Sequence, residues 1–323
     1  MPAGEHCSAA KKGRRRLDCS VVIPVYNSSN TVPEVIRRTA AVLEQGGWSY
    51  EIIAVDDGST DGSWDVLQKE AVNNPRVTVI GLVKNYGQHP ALLCGLAHSS
   101  GDYVVTIDDD LQNPPEEIVR LLEKGREGYD LVCGRFYKKQ HELYRRLGSR
   151  LIALVNEKIF RKPRHFYLTN FRLMERRLVD RICAYQTAFP YVNGLACMLA
   201  GRMANVWVEH HARRDGESRY SLGRILTLVL TILFNYSAYP LRLACTVGLA
   251  VSVASFIMSG YFIFKGIFLH SSVPGWTSIV TLLSFFNGVL MLILGMLGEY
   301  VIRILNTSAD HRSYHIREIC KFD

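Results

Sequence analysis

The chain has 323 residues, of which 48% are hydrophobic and 21% charged, and its 38 Lys and Arg against 30 Asp and Glu give a formal net charge of +8. These proportions exclude a disordered or fibrous protein, because a chain this apolar can bury a core. The length allows one large domain or two ordinary ones. The 8 cysteines have no paired C-x-x-C spacing, so we predict neither a zinc site nor a disulfide framework.

The first segment, residues 1–18, is basic and is predicted to be a tail. It contains Lys11, Lys12 and a run of arginines, but no apolar stretch of the kind found in a signal peptide. Two interpretations stay open. Either the tail binds an anionic membrane surface, where each basic residue contributes about 1 kcal/mol, or it only keeps the chain soluble.

Residues 19–221 are predicted to form a domain of alternating strands and helices. Continuous apolar runs predict buried strands at 20–25, 51–55, 77–82, 103–107 and 131–134. Patterns between them predict helices at 32–43, 63–71 and 90–98, and a further helix that opens at 113–117. This alternation predicts an α/β fold with a doubly wound, mostly parallel sheet.

Polar side chains follow three of these strands where each strand ends. They are Asn27, then Asp56 and Asp57, then Asp108, Asp109 and Asp110. In sheets of this type, ligands bind beyond the carboxyl ends of the strands. Carboxylates gathered at one edge repel each other unless a cation lies among them, so we predict a divalent metal. The alternative for residues 56–59 is a turn with a helix cap, which explains one acid but not two clusters.

Two common nucleotide-binding motifs are missing after the first predicted strand. The sequence has no G-x-x-x-x-G-K-[ST] there, which argues against a P-loop NTPase. It has no G-x-G-x-x-G there either, which argues against a dinucleotide-dependent oxidoreductase.

The last third of the chain is apolar, and its pattern predicts attachment to a membrane. Residues 222–240 predict an interfacial amphipathic helix, with a third, short span as the weaker alternative. Residues 243–264 and 271–298 carry no formal charge, and both are longer than the ~20 residues that a bilayer crossing needs. We therefore predict a hairpin of two transmembrane helices within 241–303, followed by a cytoplasmic tail at 304–323.

Flanking positive charge predicts the orientation of this hairpin. Arginines precede the first uncharged stretch and follow the second, whereas the turn between them holds only Lys265. The positive-inside rule then places both ends of the chain in the cytoplasm. The predicted location is the inner (cytoplasmic) membrane, with two spans and the 19–221 domain on the cytoplasmic side. Buried helices of a soluble core are the alternative, but these seldom exceed ~20 residues without a polar face.

Six segments together resemble a known family. They are residues 22–27, 56–61, 85–89, 108–116, 171–174 and 216–220. As a set they resemble the inverting glycosyltransferases of family 2, which have the GT-A (Rossmann-like) fold. Within that family the likeness is to membrane-anchored polyprenyl-phosphate glycosyltransferases, such as dolichol-phosphate mannose synthase and the undecaprenyl-phosphate sugar transferases. It covers nearly the whole chain, including the predicted hairpin.

The resemblance implies a role for each acidic cluster. Asp108 and Asp110 stand where the family has its catalytic D-x-D pair, and with Gln112 they would ligate Mg²⁺ or Mn²⁺. The cation would neutralise charge on the departing nucleoside diphosphate. The residues implied in nucleotide binding are Pro24, Tyr26, Asn27, Asp56, Asp57, Lys84, Gln88, Asp108 and Asp109.

A doubly charged acceptor phosphate needs cationic partners. We expect these to be Arg135, which follows the fifth predicted strand, and a group just before the predicted interfacial helix. That group consists of Arg213, Ser218 and Arg219. The alternative is that these arginines only touch lipid headgroups.

The sequence departs from the family pattern at three positions. Asp109 replaces a small residue, Ser28 stands where Glu is frequent, and Asn170 replaces an Asp that is often proposed as the catalytic base. An amide cannot take a proton at neutral pH. A lipid phosphate has a second pKa of about 6, so it is already anionic and needs alignment rather than deprotonation. Asn170, which the resemblance places among the catalytic residues, therefore favours a phosphate acceptor or else a weakened enzyme.

The predicted activity is metal-dependent transfer, with inversion, of a sugar from a nucleotide sugar, expected to be UDP-linked, to a polyprenyl phosphate. The product would serve envelope glycan modification. The predicted partners are both substrates and the lipid bilayer, but no nucleic acid; whether the chain also forms a homo-oligomer stays open. One alternative is a non-catalytic membrane scaffold, which Asn170 favours and the intact acidic cluster opposes. Another is a transferase with a different lipid or glycan acceptor; a processive synthase is disfavoured because residues 186–190 are not the expected Q-x-x-R-W.

Overall fold

The computed structural model describes residues 17–136, 155–185, 187, 189–211, 222–237, 239–240, 242–243, 246–247, 250, 257, 275–308 and 313–321. The chain divides into two compact units. One consists of Met1–Tyr220 with Arg312–Asp323, and the other of Ser221–His311.

The first unit is built on one sheet of eight strands. In chain order these are β1 (Cys19–Val25), β2 (Tyr50–Asp56), β3 (Val77–Leu82), β4 (Tyr103–Thr106), β5 (Leu131–Phe136), β6 (Arg172–Glu175), β7 (Met203–Val208) and β8 (Ile316–Lys321). Its helices are α1 (Val32–Gln45), α2 (Ser63–Asn73), α3 (Gln88–His98), α4 (Ile118–Gly125), α5 (155–159), α6 (Arg176–Ala184) and α7 (Val192–Leu199). A 3₁₀ turn at Pro115–Glu117 precedes α4.

The strands lie in the order β7-β5-β6-β4-β1-β2-β3-β8. β1 pairs in parallel with β2 and β4, β2 with β3, and β5 with β7. β6 runs antiparallel between β4 and β5, and β8 runs antiparallel along β3. The predicted α/β fold with a mostly parallel sheet is confirmed.

The centre of the sheet is apolar because it is covered on both faces. Every residue of β1 is buried, including Val21 and Ile23, as a central parallel strand requires. Val32, Val35 and Ile36 of α1 are buried in the same core. The continuous apolar runs, rather than an alternating pattern, made these strands predictable.

The register of the central strands brings their polar ends to one edge. Val25, the last residue of β1, pairs with Asp56, the last residue of β2. β4 runs parallel to β1 on its other side, with Thr106 opposite Val22. The loops that begin after Val25, Asp56 and Thr106 therefore leave from the same edge of the sheet, which we call the rim.

β8 was not predicted from the sequence, although it completes the sheet. It comes from the 304–323 segment and pairs with β3, where Ile319 lies opposite Ile80. The guanidinium of Arg317 lies 4.6 Å from the centre of the Trp64 ring on α2. Charged and apolar residues alternate irregularly in β8, as is common in edge strands. A search for continuous apolar runs does not find a strand of this composition.

The second unit contains α8 (Leu222–Tyr236) and α9 (Trp276–Ser308). α8 forms where an interfacial helix is predicted. Most of the first predicted span, 243–264, lies outside the described residues. Within the part of the chain that the structure describes, no helix combines the length and the apolar character needed to cross a membrane.

Candidate active site

Asp57, directly after β2, connects the loop after β2 to the loop that leads into α3. Its Oδ1 accepts a hydrogen bond from the backbone N–H of Tyr86 at 2.7 Å, and its Oδ2 accepts one from that of Gly87 at 2.8 Å. The residue is only 3% exposed. Burial raises the pKa of Asp57, and the two hydrogen bonds oppose that rise. Asp57 therefore fixes the loop that leads into α3.

Gly58 lets these two loops touch. Its φ of 69° lies in the left-handed region that glycine adopts without a steric penalty. A Cβ at this position would lie 2.7 Å from the backbone nitrogen of Asn85. The same loop carries Lys84, whose exposed ammonium lies 5.4 Å from the centre of the Tyr86 ring.

Asp56, the last residue of β2, is fully buried. Its Oδ1 accepts a hydrogen bond from the backbone N–H of Ser59 at 3.2 Å, while its Oδ2 has no hydrogen-bond partner among the described residues. Burial raises the pKa of this carboxyl, and the charge of Arg317 on β8 opposes the rise. Asp56 thus lies under the rim rather than on it.

Asn27 joins the loop after β1 to the loop after β2. Its φ of 53° is left-handed, a conformation that Asn tolerates better than most residues. Its N–H donates to Ser59 Oγ at 3.0 Å, and its Oδ1 accepts from the N–H of Thr60 at 2.8 Å. Just before it, Pro24 is buried within β1 and Tyr26 is half-buried.

The three aspartates that follow β4 enter a strained turn. Leu111, directly after them, is buried and has a φ of 58°, a left-handed conformation that costs a residue with a side chain about 1–2 kcal/mol. The turn is held by Gln112, whose N–H donates to Asp110 Oδ1 at 3.1 Å and whose carbonyl accepts from the N–H of His211 at 2.9 Å. Such strain is concentrated at functional sites.

Asp108 is the most strongly perturbed carboxyl of the rim. Gln88, at the start of α3, donates from Nε2 to Asp108 Oδ1 at 2.7 Å. Burial, together with the charges of Asp110 and Asp109, raises the pKa of Asp108 to about 7, and a hydrogen bond from the side chain of Asn170 opposes the rise. The structure therefore brings together Asp108, Gln88 and Asn170.

Asp109 faces the loop after β1. Its Oδ2 accepts a hydrogen bond from the N–H of Tyr26 at 3.2 Å, and its carbonyl accepts one from Thr31 Oγ1 at 2.7 Å. Burial raises the pKa of this carboxyl. Asp109 thus connects the turn after β4 to the turn after β1.

A polar layer that the sequence analysis did not predict lies behind Asp108. Arg172 of β6 is fully buried, and its Nη1 donates to Asn193 Oδ1 at 2.6 Å. Asn193, in the first turn of α7, donates from Nδ2 to Asn170 Oδ1 at 3.2 Å. The signal in the sequence was the arginine between Phe171 and Leu173, because a cation in a buried strand indicates that polar partners lie beside it.

Arg135, near the end of β5, is held between two aromatic rings. Its guanidinium lies 4.1 Å from the centre of the Tyr167 ring and 4.2 Å from that of Trp207. Its Nη2 also donates to the Tyr167 hydroxyl at 3.2 Å. The rings are 46% and 42% exposed, so this cation is rigidly placed near the surface. The other three predicted phosphate ligands, Arg213, Ser218 and Arg219, lie outside the described residues.

A family profile named "Glycosyl transferase family 2" matches residues 20–186, which is more than half of the chain. The chain belongs to glycosyltransferase family 2. The rim loops after β1, β2 and β4 all lie within the matched region. The expected family membership, and with it a transferase activity, is confirmed.

Two curated relatives support a narrower likeness. They are the undecaprenyl-phosphate 4-deoxy-4-formamido-L-arabinose transferases of Salmonella paratyphi A and Salmonella enteritidis. Each is 34% identical to this family-2 glycosyltransferase over 306 residues, which cover 93% of this chain and 93% of the relative. The predicted resemblance to undecaprenyl-phosphate sugar transferases is confirmed.

A solved structure supports the fold. Glucosyl-3-phosphoglycerate synthase from Mycobacterium tuberculosis, crystallised with Mn²⁺, UDP-glucose and phosphoglyceric acid, matches with a TM-score of 0.52 and 21% identity, over 68% of this chain and 79% of that chain. At this identity the match supports a shared GT-A-type architecture alone.

The acidic turn of this family-2 glycosyltransferase has the chemistry of a site for a hard cation. Within the described residues, no three His, Cys, Asp or Glu side chains gather as a metal centre. The predicted ligand set needs only two carboxylates, with an amide oxygen as the third ligand. Burial raises the pKa of Asp108, and the nearby carboxylates of Asp110 and Asp109 raise it further; a divalent cation would offset the repulsion among these carboxylates.

Proposed function

We propose that the protein transfers a sugar from a UDP-linked donor to a polyprenyl phosphate, with inversion at the sugar, at the cytoplasmic face of a membrane. The observation that carries this proposal is the crowded carboxylate turn after β4, at the rim where the loops after β1 and β2 also meet. The curated relatives, named for undecaprenyl phosphate as acceptor, support the choice of lipid.

The donor diphosphate would bind at the turn after β4. Asp108 and Asp110, with the Gln112 amide oxygen, would hold Mg²⁺ or Mn²⁺; the solved fold relative was crystallised with Mn²⁺. When bound, the cation would act as a Lewis acid that neutralises charge on the leaving diphosphate. Gln88 would keep Asp108 aligned through its 2.7 Å hydrogen bond.

The nucleoside would bind between the loops that follow β1 and β2. Asp57 accepts two backbone hydrogen bonds and Asp109 accepts one from Tyr26. Both carboxylates would therefore act mainly by fixing loop backbones that face the nucleoside. Asn27, Tyr26 and the exposed Lys84 would contact it.

The acceptor phosphate would meet Arg135. A guanidinium held between Tyr167 and Trp207 loses little conformational entropy when it binds an anion, and its fork suits phosphate oxygens. The nucleophile is already ionised, because a lipid phosphate has a second pKa of about 6. Asn170 therefore need not act as a base.

Arg135→Ala is expected to raise KM for the lipid phosphate about tenfold or more, as loss of a charge-assisted hydrogen bond does, while KM for the donor stays unchanged. The measurement is initial rate against lipid concentration at saturating donor. Arg126→Ala is the matched control. The guanidinium of Arg126 also lies 4.0 Å from the centre of a tryptophan ring, that of Trp48, but near the edge of the sheet opposite to the rim. Equal effects of the two substitutions would contradict the assignment.

The apparent affinity for Mn²⁺ is expected to depend on pH. Metal binding requires the ionised carboxylate, and the pKa of Asp108 is raised to about 7, so affinity should fall about tenfold per pH unit below 7 and level off above it. The stability of the metal-free protein depends on pH in the opposite direction. Protonated Asp108 stabilises the folded state at low pH, and this contribution is lost as pH rises through about 7. Manganese titration by EPR between pH 5 and 8 measures this, and a flat profile would contradict it.

Membrane attachment is part of the proposal and rests on the sequence. Residues 243–264 and 271–298 carry no formal charge, and an acceptor confined to a bilayer favours an enzyme that stays beside it. We propose a two-span anchor in the inner membrane, with both chain ends in the cytoplasm. Fractionation of cells after an alkaline carbonate wash tests it, since a peripheral protein would be released.

The proposed activity is tested by incubating membranes that contain the protein with radiolabelled nucleotide sugars and undecaprenyl phosphate. The panel includes UDP-linked 4-deoxy-4-formamido-L-arabinose, because this sugar is named for the curated relatives. We expect one label to enter the lipid fraction on chromatography, and only when a divalent cation is present. Entry of no label into lipid, with label instead in a water-soluble or polymeric product, would favour a different acceptor. No turnover of any donor would favour a scaffold.

A further inference from the structure

Asn205, a half-buried residue of β7, binds the main chain of Tyr167. Its Oδ1 accepts a hydrogen bond from the N–H of Tyr167 at 2.9 Å, and its Nδ2 donates to the carbonyl of the same residue at 2.7 Å. Nδ2 also donates to the carbonyl of Cys133 on β5 at 3.1 Å. One amide on β7 therefore attaches the segment that carries Tyr167 to the end of the sheet formed by β5 and β7.

The partners of this amide fix its orientation. A backbone N–H can only donate and a carbonyl can only accept, so Oδ1 must face the N–H of Tyr167 and Nδ2 must face the two carbonyls. Rotation of the amide by half a turn would lose all three hydrogen bonds. Asn205 thus makes to Tyr167 the pair of hydrogen bonds that a neighbouring strand would make, and it fixes the position of that backbone.

The backbone fixed in this way carries one of the two rings that hold Arg135. The other ring belongs to Trp207, which lies opposite Arg135 in the register of β5 and β7. The guanidinium lies 4.1 Å from the centre of the Tyr167 ring and 4.2 Å from that of the Trp207 ring. Among the residues that the structure describes, no carboxylate forms an ion pair with Arg135, so its charge is available to an anionic ligand.

The register of the sheet places Arg135 level with the acidic turn. Thr106 on β4 and Cys133 on β5 both pair with Arg172 on β6. β4 and β5 run in the same direction, since both are antiparallel to β6. Arg135 comes two residues after Cys133, and Asp108 comes two residues after Thr106. Their backbones are therefore separated by about 10 Å, or two strand spacings, and a phosphate bound to Arg135 would approach a donor held at the turn after β4.

We propose that Asn205 is a positioning residue for the acceptor phosphate: by fixing Tyr167, it holds the guanidinium of Arg135 between the two rings before the lipid binds. This inference rests on the proposed function, because it assumes that Arg135 binds the acceptor. A guanidinium that is ordered in advance loses less conformational entropy when it binds an anion. Without Asn205, binding of the lipid must itself order Tyr167 and Arg135.

Asn205→Ala tests this role. The variant should raise KM for undecaprenyl phosphate about two- to tenfold, as expected when binding must order one more flexible side chain, while kcat and the Kd for UDP stay unchanged. If the alanine variant folds poorly, Asn205→Ser takes its place with a smaller rise in KM. The decisive measurement is made on the double variant with Arg135→Ala. Asn205→Ala should add nothing to the KM of Arg135→Ala, because both substitutions act through the same guanidinium.

Asp130→Ala is the matched control. Asp130 Oδ2 accepts from the N–H groups of Gly201 and Arg202 at 2.6 and 3.0 Å, so it also connects β5 to β7, but where these strands begin. This variant should lower the melting temperature without changing KM for the lipid. Additive effects of Asn205→Ala and Arg135→Ala, an unchanged KM in Asn205→Ala, or an equal rise in Asp130→Ala would overturn the positioning role alone. An unchanged KM in Arg135→Ala would instead overturn the proposed acceptor site, and the positioning role with it.

Discussion

Asp110→Ala is expected to reduce sugar transfer by about a thousandfold or more. The substitution removes one of two carboxylates proposed to hold the cation, and loss of preorganised electrostatic stabilisation at a leaving group typically costs 10²–10³ in rate or more. It also removes the acceptor for the N–H of Gln112. The measurement is single-turnover transfer of label to undecaprenyl phosphate at saturating donor.

Asp110→Asn separates charge from turn geometry. Its amide oxygen still accepts from Gln112, so the strained turn at Leu111 should persist with an unchanged melting temperature. We expect the same loss of transfer as in Asp110→Ala, because an amide is a much weaker partner for a divalent cation than a carboxylate. If Asp110→Asn kept wild-type activity while Asp110→Ala lost it, the turn rather than the charge would be responsible.

Asp57→Ala should have the second largest effect, and it should act through the backbone. The variant leaves the N–H groups of the half-buried Tyr86 and Gly87 without their acceptor, and an unsatisfied group costs about 1–3 kcal/mol where water cannot replace the acceptor. We therefore expect the free energy of unfolding to fall by about 2–5 kcal/mol, with a large rise in the Kd for UDP. Urea unfolding and titration with UDP measure the two effects.

Asp57→Asn is the control for this prediction. Its amide oxygen can accept from one of the two N–H groups but not from both, so its stability and UDP affinity should lie between those of wild type and Asp57→Ala. If Asp57→Ala weakened UDP binding without any loss of stability, Asp57 would contact the nucleotide directly and the loop-fixing role would be wrong.

The centre of the fold could be predicted because its strands are buried on both faces. β1 to β5 are predicted from continuous apolar runs, and a recognisable helix separates each of these strands from the next. β6 and β8 could not be found in this way, since Arg172 lies inside one and charged residues such as Arg317 and Glu318 lie along the other. Pairing in an edge strand depends on the partner, here β3, and not on the strand's own pattern.

The position of the candidate site could be predicted from the sequence, but the role of each residue within it could not. Aspartates at strand ends indicate the rim, because parallel strands end together. The sequence alone does not show which carboxylate oxygens accept hydrogen bonds within the protein. In the structure, Asp57 and Asp109 accept them from neighbouring backbone N–H groups. Asn193 could not be predicted for a different reason: it lies in the first turn of α7, 23 residues after Asn170, and only the three-dimensional fold brings the two side chains together.

The most direct test of the account is transfer by chelator-treated protein to which Mn²⁺ is added back. We expect no label in undecaprenyl phosphate after EDTA treatment, and recovery of transfer as Mn²⁺ is restored, with the midpoint shifting to higher concentration at lower pH. Full-rate transfer by the metal-free protein would contradict the claim that the aspartates after β4 act by holding a divalent cation against the leaving diphosphate.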